Sequence, residues 1–548
     1  MRIHRVLSAL AAIALIVSLM PVASVGAQSG LAAGSSTRQI PAGGTTGITS
    51  RSANEQSYIV VLKSGHSAAG YNAIQKAGGT VVRLNKLDIA TVMSSNPSFA
   101  EALNQSDAIL GVARNAKFYQ APAAPLAVVP PPPSTNTQAA EATACAALYS
   151  VSSSIGPDPL GPCQWDMRAI NAALTGSYAI NQGQGVKVGV MDTGIDLTHG
   201  DLMSNVDLAT SCVFLYSTTP TADPAEQVTR GDCSNKAALQ DLNGHGTHTA
   251  GTIAAPINGT GIAGVAPKAT IVALKSGTAE GYFFTDSVVD GLIYAGDKKL
   301  DVVSMSFFAD PWLFNCKNDK EQKAIVQAIS RAAKYAQQNG VVLVAAEGNE
   351  GIDLNHPILD EISPDFPAGA AVTRPVNNSC VVLPTELPGV VVVSATGAEN
   401  LLAWYSTYGM VTDVTAPGGS RFQTPTFDSS RGRVLAPYSS TASDLDLEAA
   451  LGRLVVDPSG NFYAWLNGTS MAAPHAAGVA ALIRAANPGM PQGAVVAKLR
   501  SSATKLSCPA TLDPGVAFFG APVQVCTGGA GSNSFFGAGL VNALAASK

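Results

Sequence analysis

Four short stretches of this chain carry side chains able to do nucleophilic chemistry. In Gly468-Thr469-Ser470-Met471-Ala472-Ala473-Pro474-His475, a Gly-Thr pair delivers Ser470 ahead of an apolar run, 476–486, made mostly of good helix formers. A serine at a helix N-terminus has free backbone N–H groups around it and the positive end of the macrodipole behind it. That placement suits an oxyanion, and it equally suits a capping serine. Three further stretches bear on the choice. Gly244-His245-Gly246-Thr247-His248-Thr249-Ala250-Gly251 sets His245 between glycines just before a helix. Asp192-Thr193-Gly194 ends an apolar strand, where a carboxylate is costly unless paired. Gly348-Asn349 follows another apolar strand, and a side-chain amide there is in a position to serve a developing oxyanion. A nucleophile, a base, a carboxylate to orient the base and a neutral donor make up an acyl-transfer centre.

Such residues need a frame that brings distant segments together. From residue 145 onward apolar strands at 186–191, 269–274, 302–306, 341–346 and 390–394 alternate with helical stretches at 248–255, 285–298 and 319–338. The pattern predicts an α/β domain, a mainly parallel sheet with helices on both faces. Ligands in such sheets sit at the carboxyl ends of the strands, where Asp192 and Asn349 are both expected.

The remainder sets the context. Residues 1–27 read as a secretory signal peptide: Arg2 and Arg5 precede an apolar run, and a small-residue site, Val25-Gly26-Ala27, follows. Residues 28–56 are rich in Gly, Ser and Thr and predict a disordered segment. Residues 57–119 predict a small β-α-β-β-α-β, ferredoxin-like module. Residues 120–143, with four consecutive prolines at 130–133, predict an extended linker open to proteolysis, and 144–548 the large domain. No later apolar stretch is long enough to span a bilayer, so an extracellular protein with no membrane association after signal cleavage is expected. With 33 basic and 38 acidic residues the net charge is −5, which gives no sign of a nucleic-acid partner. Eight cysteines in an exported chain point to disulfides. They allow 105 pairings, of which pairing between sequence neighbours is preferred: 145–163, 212–233, 316–380 and 508–526.

The segments bearing Asp192, His245, Asn349 and Ser470, in that order, resemble the subtilisin-like serine protease family from about residue 164 to the C-terminus. The resemblance implies a serine endopeptidase. Ser470 attacks, His245 is general base and acid, Asp192 orients His245, and Asn349 with the Ser470 N–H holds the oxyanion. His248 and His475 are expected to be structural. The resemblance makes 57–119 an inhibitor-type propeptide whose tail, 116–119, lies in the cleft, with autocleavage near Tyr119. No cofactor is required for the chemistry. A structural calcium ion is implied between Asp201 and the loop 256–262, with Asn258 and the carbonyls of Pro256, Thr260 and Ile262 as ligands.

Two departures from the family concern specificity. Phe307-Phe308-Ala309 stands where Leu-Gly-Gly is usual, and Glu347 stands where a small residue is usual. One of Glu347 and Glu350 is therefore a candidate for lining the S1 pocket. Long segments at 207–243 and 419–465 are expected as loops at the cleft rim. An exopeptidase of the same fold and a catalytically silent binding protein are the alternative readings.

Overall fold

The computed structural model describes residues 55–116, 136–150, 158–216, 226, 233–427 and 429–548. The signal peptide, most of the 28–56 segment, the tail 117–119 and the linker as far as 135 lie outside the described residues.

The N-terminal module is built from β1 (Gln56–Leu62), α1 (Ser67–Lys76), β2 (Gly79–Leu84), β3 (Ile89–Ser94), α2 (Phe99–Leu103) and β4 (Ile109–Ala116). Its sheet runs in the order β2-β3-β1-β4, with β1 antiparallel to both neighbours. Side chains alternate across β1 with period 2. Tyr58, Val60 and Leu62 pack on the module's own Ile74, Phe99 and Leu103. Ile59 and Val61 point the other way, into a core shared with two helices of the large domain.

The large domain is organised by a seven-stranded sheet. Its strands are β5 (Lys187–Asp192), β6 (Cys212–Val213), β7 (Thr270–Lys275), β8 (Val302–Met305), β9 (Val342–Ala346), β10 (Val390–Thr396) and β11 (Val414–Pro417). The order is β11-β10-β9-β8-β5-β7-β6, and every pair is parallel. Both faces are covered, which is why the strands read as continuous Val, Leu and Ala runs. The edge strands β6 and β11 escape sequence reading because they are short.

One face carries α4 (His245–Ala254) and α7 (Thr469–Ala486); the other carries α5 (Thr285–Asp297) and α6 (Lys320–Gln338). The module's sheet lies over α6. Asp319 caps α6 by accepting from the Gln322 N–H at 2.8 Å. Among the described residues no helix is long and apolar enough to cross a membrane.

Two expectations change here. The sequence predicts a linker reaching residue 143; in the structure Asn136–Thr137 form a short strand and α3 (Gln138–Leu148) follows at once. Glu141 on α3 is buried and accepts from Arg431 Nε and Nη2 at 2.9 and 3.0 Å and from Trp465 Nε1 at 3.0 Å. Ala-rich composition permits the helix, and tertiary pairing fixes it. Likewise 419–465 is largely ordered: β12 (Val434–Tyr438), β13 (Leu454–Val456) and β14 (Phe462–Leu466) form a sheet completed by the Asn136–Thr137 strand. All four cysteine pairs join sequence neighbours, 145–163, 212–233, 316–380 and 508–526.

Candidate active site

The central strands deliver the site. Met191 on β5 and Ala345 on β9 both pair with Met305 on β8, so the carboxyl ends of the three strands are level. Asp192 closes β5, Ser306 follows β8, and Asn349 follows β9.

Asp192 is buried, and its charge is satisfied. Oδ1 accepts from His245 Nδ1 at 2.8 Å and from the Thr193 N–H at 2.8 Å, and Oδ2 accepts from Thr249 Oγ1 at 3.1 Å. His245 is the first residue of α4, and the first turn of that helix lies against the loop after β5. A Cβ on Gly246 would stand 2.3 Å from the Gly194 carbonyl oxygen, so only glycine admits this approach. Burial works against the His245 cation. The charge and hydrogen bond of Asp192, with Asp241 behind them, outweigh it and hold the imidazole pKa above its ordinary value.

Ser470 lies in the first turn of α7 and is half-buried. Pro474, four residues on, has no N–H to give the Ser470 carbonyl. Ser306 Oγ donates to that carbonyl instead at 2.9 Å, and Ser470 Oγ donates to the Ser306 carbonyl at 3.2 Å. The structure thus brings Asp192 and His245 into contact and leaves the Ser470 hydroxyl turned to Ser306 rather than to His245.

Asn349 is oriented from behind. Its Oδ1 accepts from the Thr469 N–H at 2.8 Å and from Thr469 Oγ1 at 3.0 Å, which fixes Nδ2 as the free end of the amide. A Cβ on Gly468 would lie 3.6 Å from both Asn349 Nδ2 and the Ser470 nitrogen, so the two donors flank one point. Neither makes a hydrogen bond among the described residues. Two N–H groups close together at the positive end of α7 suit a developing oxyanion.

His475 and His248 are structural in geometry. His475 Nε2 meets Asp166 Oδ2 at 3.0 Å, with both residues fully buried. His248 Nε2 points to the carbonyls of Val434 and Ala464 at 3.3 and 3.1 Å, and burial pushes its pKa down to about 3.

The specificity candidates divide. Glu347 is closed off: it is 1% exposed and both its oxygens accept from Thr412 Oγ1, at 2.8 and 3.0 Å, so it does not line an open pocket. Burial first, then nearby carboxylates, raise its pKa well above the usual range. Glu350 accepts from Thr407 Oγ1 at 3.2 Å. Phe307 stacks on Phe283, with centroids 4.1 Å apart and planes 4° from parallel, and Phe308 packs in a cluster with Phe314 and Leu354.

Asp201 and the 256–262 loop, expected around calcium, lie against one another. Asp201 is fully buried. Its Oδ2 accepts from the Ile262 N–H at 3.0 Å and Tyr463 OH at 3.2 Å, and its Oδ1 has no hydrogen bond. Burial raises its pKa well above the carboxylate range, and nearby Asp158 adds to this. Asn258 Oδ1 accepts from the Thr260 N–H at 2.8 Å. The carbonyls of Pro256, Thr260 and Ile262 accept no hydrogen bond among the described residues. A buried carboxylate oxygen with no hydrogen bond, on a residue held against the 256–262 loop, is a feature that suits a hard cation.

Sequence reading missed Ser306, Thr469, Asp241 and Asp158. Thr469 lies in the serine motif and Ser306 at the end of an apolar strand, and neither carried a signal of its own. Asp241 is fully buried and accepts from Thr193 Oγ1, the N–H groups of Asn243, Gly244 and Thr247, and Thr247 Oγ1.

Residues 183–539 match the subtilase family. Subtilisin BL of Lederbergia lenta is 31% identical over 384 residues, covering 70% of this chain and 98% of that protein. Thermitase of Thermoactinomyces vulgaris is 29% identical over 332 residues, covering 60% of this chain and 85% of that protein. The epidermin leader peptide processing serine protease of Staphylococcus aureus superposes with a TM-score of 0.61 at 21% identity, covering 90% of this chain and 98% of that one.

Proposed function

Because the chain belongs to the subtilase family and is a serine-type peptidase acting on proteins or peptides, we propose that it is a secreted endopeptidase made as a zymogen, with Ser470 as nucleophile. The observation that carries this is the Asp192–His245 contact. A carboxylate on Nδ1 holds the hydrogen there and leaves Nε2 free as a base.

The Ser470 side chain first rotates away from Ser306, and its hydroxyl then donates to His245 Nε2. Oγ attacks the scissile carbonyl carbon while its proton passes to Nε2. The oxyanion takes hydrogen bonds from Asn349 Nδ2 and the Ser470 N–H. The C–N bond breaks as His245 gives the proton to the leaving amine, leaving an ester on Ser470. Water attacks that ester with His245 again as base, and a carboxylic acid product departs. Asp192 stabilises the imidazolium and keeps its hydrogen bond to Nδ1 throughout.

Zymogen character is supported by how the module is seated. Arg83 Nε lies 2.6 Å from Asp290 on α5, and Arg331 on α6 donates to the carbonyls of Leu62 and Leu87 at 3.1 and 2.9 Å. Export is supported by the composition of residues 1–27 and by the four disulfides. Structural calcium held by Asp201, Asn258 and the carbonyls of Pro256, Thr260 and Ile262 would tie the loop after α4 to the 199–202 segment; Asp158 adds a second carboxylate beside it.

The test is Ser470→Ala in the full-length chain. Casein hydrolysis and cleavage of the chain between residues 116 and 136 should both be lost. Persistence of both at the wild-type rate would overturn the assignment.

A further inference from the structure

We infer that the inserted segment 438–444 is a clamp that positions His245, rather than a wall of the substrate cleft. This rests on His245 being the general base.

The segment Asp241–Asn243 leads directly into His245, and each of its three carbonyls is held from the insert. The Asp241 carbonyl accepts from Ser439 Oγ at 2.6 Å and Thr441 Oγ1 at 2.8 Å. The Leu242 carbonyl accepts from the Ser443 N–H at 3.0 Å. The Asn243 carbonyl accepts from Tyr438 OH at 3.2 Å. The Tyr438 ring also covers Gly244, where a Cβ would come within 2.4 Å of it, and Gly244 has φ +98°, a backbone shape that glycine alone adopts readily.

The clamp is itself stiff. The single Tyr438 hydroxyl hydrogen is shared with Asp444 Oδ1, 2.7 Å away. The Ser440 N–H and Oγ both donate to Asp196 Oδ2 at 2.8 Å. Behind it stands the β12–β14 sheet, which the Asn136–Thr137 strand completes.

Asp241 transmits the hold. Its carbonyl faces the insert, while its carboxylate binds the first turn of α4 and Thr193 beside Asp192. One residue therefore ties the insert to both members of the Asp192–His245 pair. Catalysis is sensitive to such placement, since an error of about 1 Å costs on the order of 100-fold in rate.

The experiment compares Ser439→Ala/Thr441→Ala with the conservative pair Ser439→Thr/Thr441→Ser in the whole chain, on a small peptide substrate. The first pair removes both hydroxyls from the Asp241 carbonyl; the second retains them. For the alanine pair, kcat should fall about tenfold or more with KM unchanged, and the acid limb of the pH profile should move. The conservative pair should restore both. The ionisable groups facing His245 are Asp192, Asp241 and His248, none of them substituted, so a moved limb reports altered geometry.

Should the alanine pair fail to fold, Tyr438→Phe tests the same hold at Asn243. A kcat within about twofold of wild type overturns the clamp. So does a change in KM alone, which would make the segment a substrate wall. Ser470→Ala in parallel separates the two readings. If Ser470→Ala is inactive while the clamp variants are normal, only the clamp is wrong. If Ser470→Ala is active, the catalytic assignment fails, whatever the clamp variants do.

Discussion

Asp192→Asn removes a charge while keeping the shape of the side chain, and the surroundings decide how the amide sits. The Thr193 N–H donates to Oδ1 at 2.8 Å, so an amide nitrogen placed there would face another donor. At the Oδ2 position, an NH2 group would meet Thr249 Oγ1, which can accept it and turn its own hydrogen to the Gly246 carbonyl at 3.1 Å. The amide oxygen should therefore occupy the Oδ1 position and still accept from His245 Nδ1. The tautomer survives, and the charge alone is lost. For unit charges about 4 Å apart at an effective dielectric constant near 20, that charge is worth about 4 kcal/mol to the imidazolium. The rate constant for the acylation step should fall by roughly 10²- to 10³-fold. That is less than the about 10⁴-fold expected when an amide imposes the wrong tautomer.

The pH dependence carries a sign. Asp192 raises the His245 pKa, and the base must be neutral to act, so kcat/KM rises with pH through that pKa. In Asp192→Asn the acid limb should move to lower pH. The assay is kcat/KM on a chromogenic peptide amide from pH 4 to 10. A loss of about 10⁴-fold with an unmoved acid limb would refute the amide orientation argued from Thr193. A loss below about tenfold would refute the role of Asp192 itself.

Calcium should raise the thermal midpoint of the wild-type enzyme and a strong chelator should lower it, whereas in Asp201→Asn the midpoint should respond to neither, as differential scanning calorimetry would report. Glu347→Gln should retain activity, because the enclosed side chain does not line an open pocket and the amide keeps its shape. Its stability relative to wild type should also increase with pH. A carboxyl whose folded pKa lies above its unfolded value stabilises fully below the unfolded value and loses that contribution as pH rises through the folded one. Denaturant midpoints measured across the pH range check this.

The candidate site was legible in the sequence because each candidate side chain sits beside a local signal. Ser470 precedes an apolar helix, His245 lies between glycines, and Asp192 and Asn349 close apolar strands. The core strands were legible for the same reason, since strands buried on both faces are unbroken apolar runs. Order in 136–148 and 434–466 was not legible. Their short strands exist through pairing with one another, and Glu141 is stable in the interior only because Arg431 and Trp465, roughly 300 residues away, reach it. Glu347 misled for a related reason: a carboxylate beside Asn349 reads as a specificity group until Thr412 is seen to enclose it. The sequence alone pointed to the groups proposed to react and to the compartment proposed for them, because local order and composition encode both. Only the tertiary structure decided which neighbours hold those groups still, because Ser306, Thr469, Asp241 and the 438–444 insert act through contacts that no local pattern records.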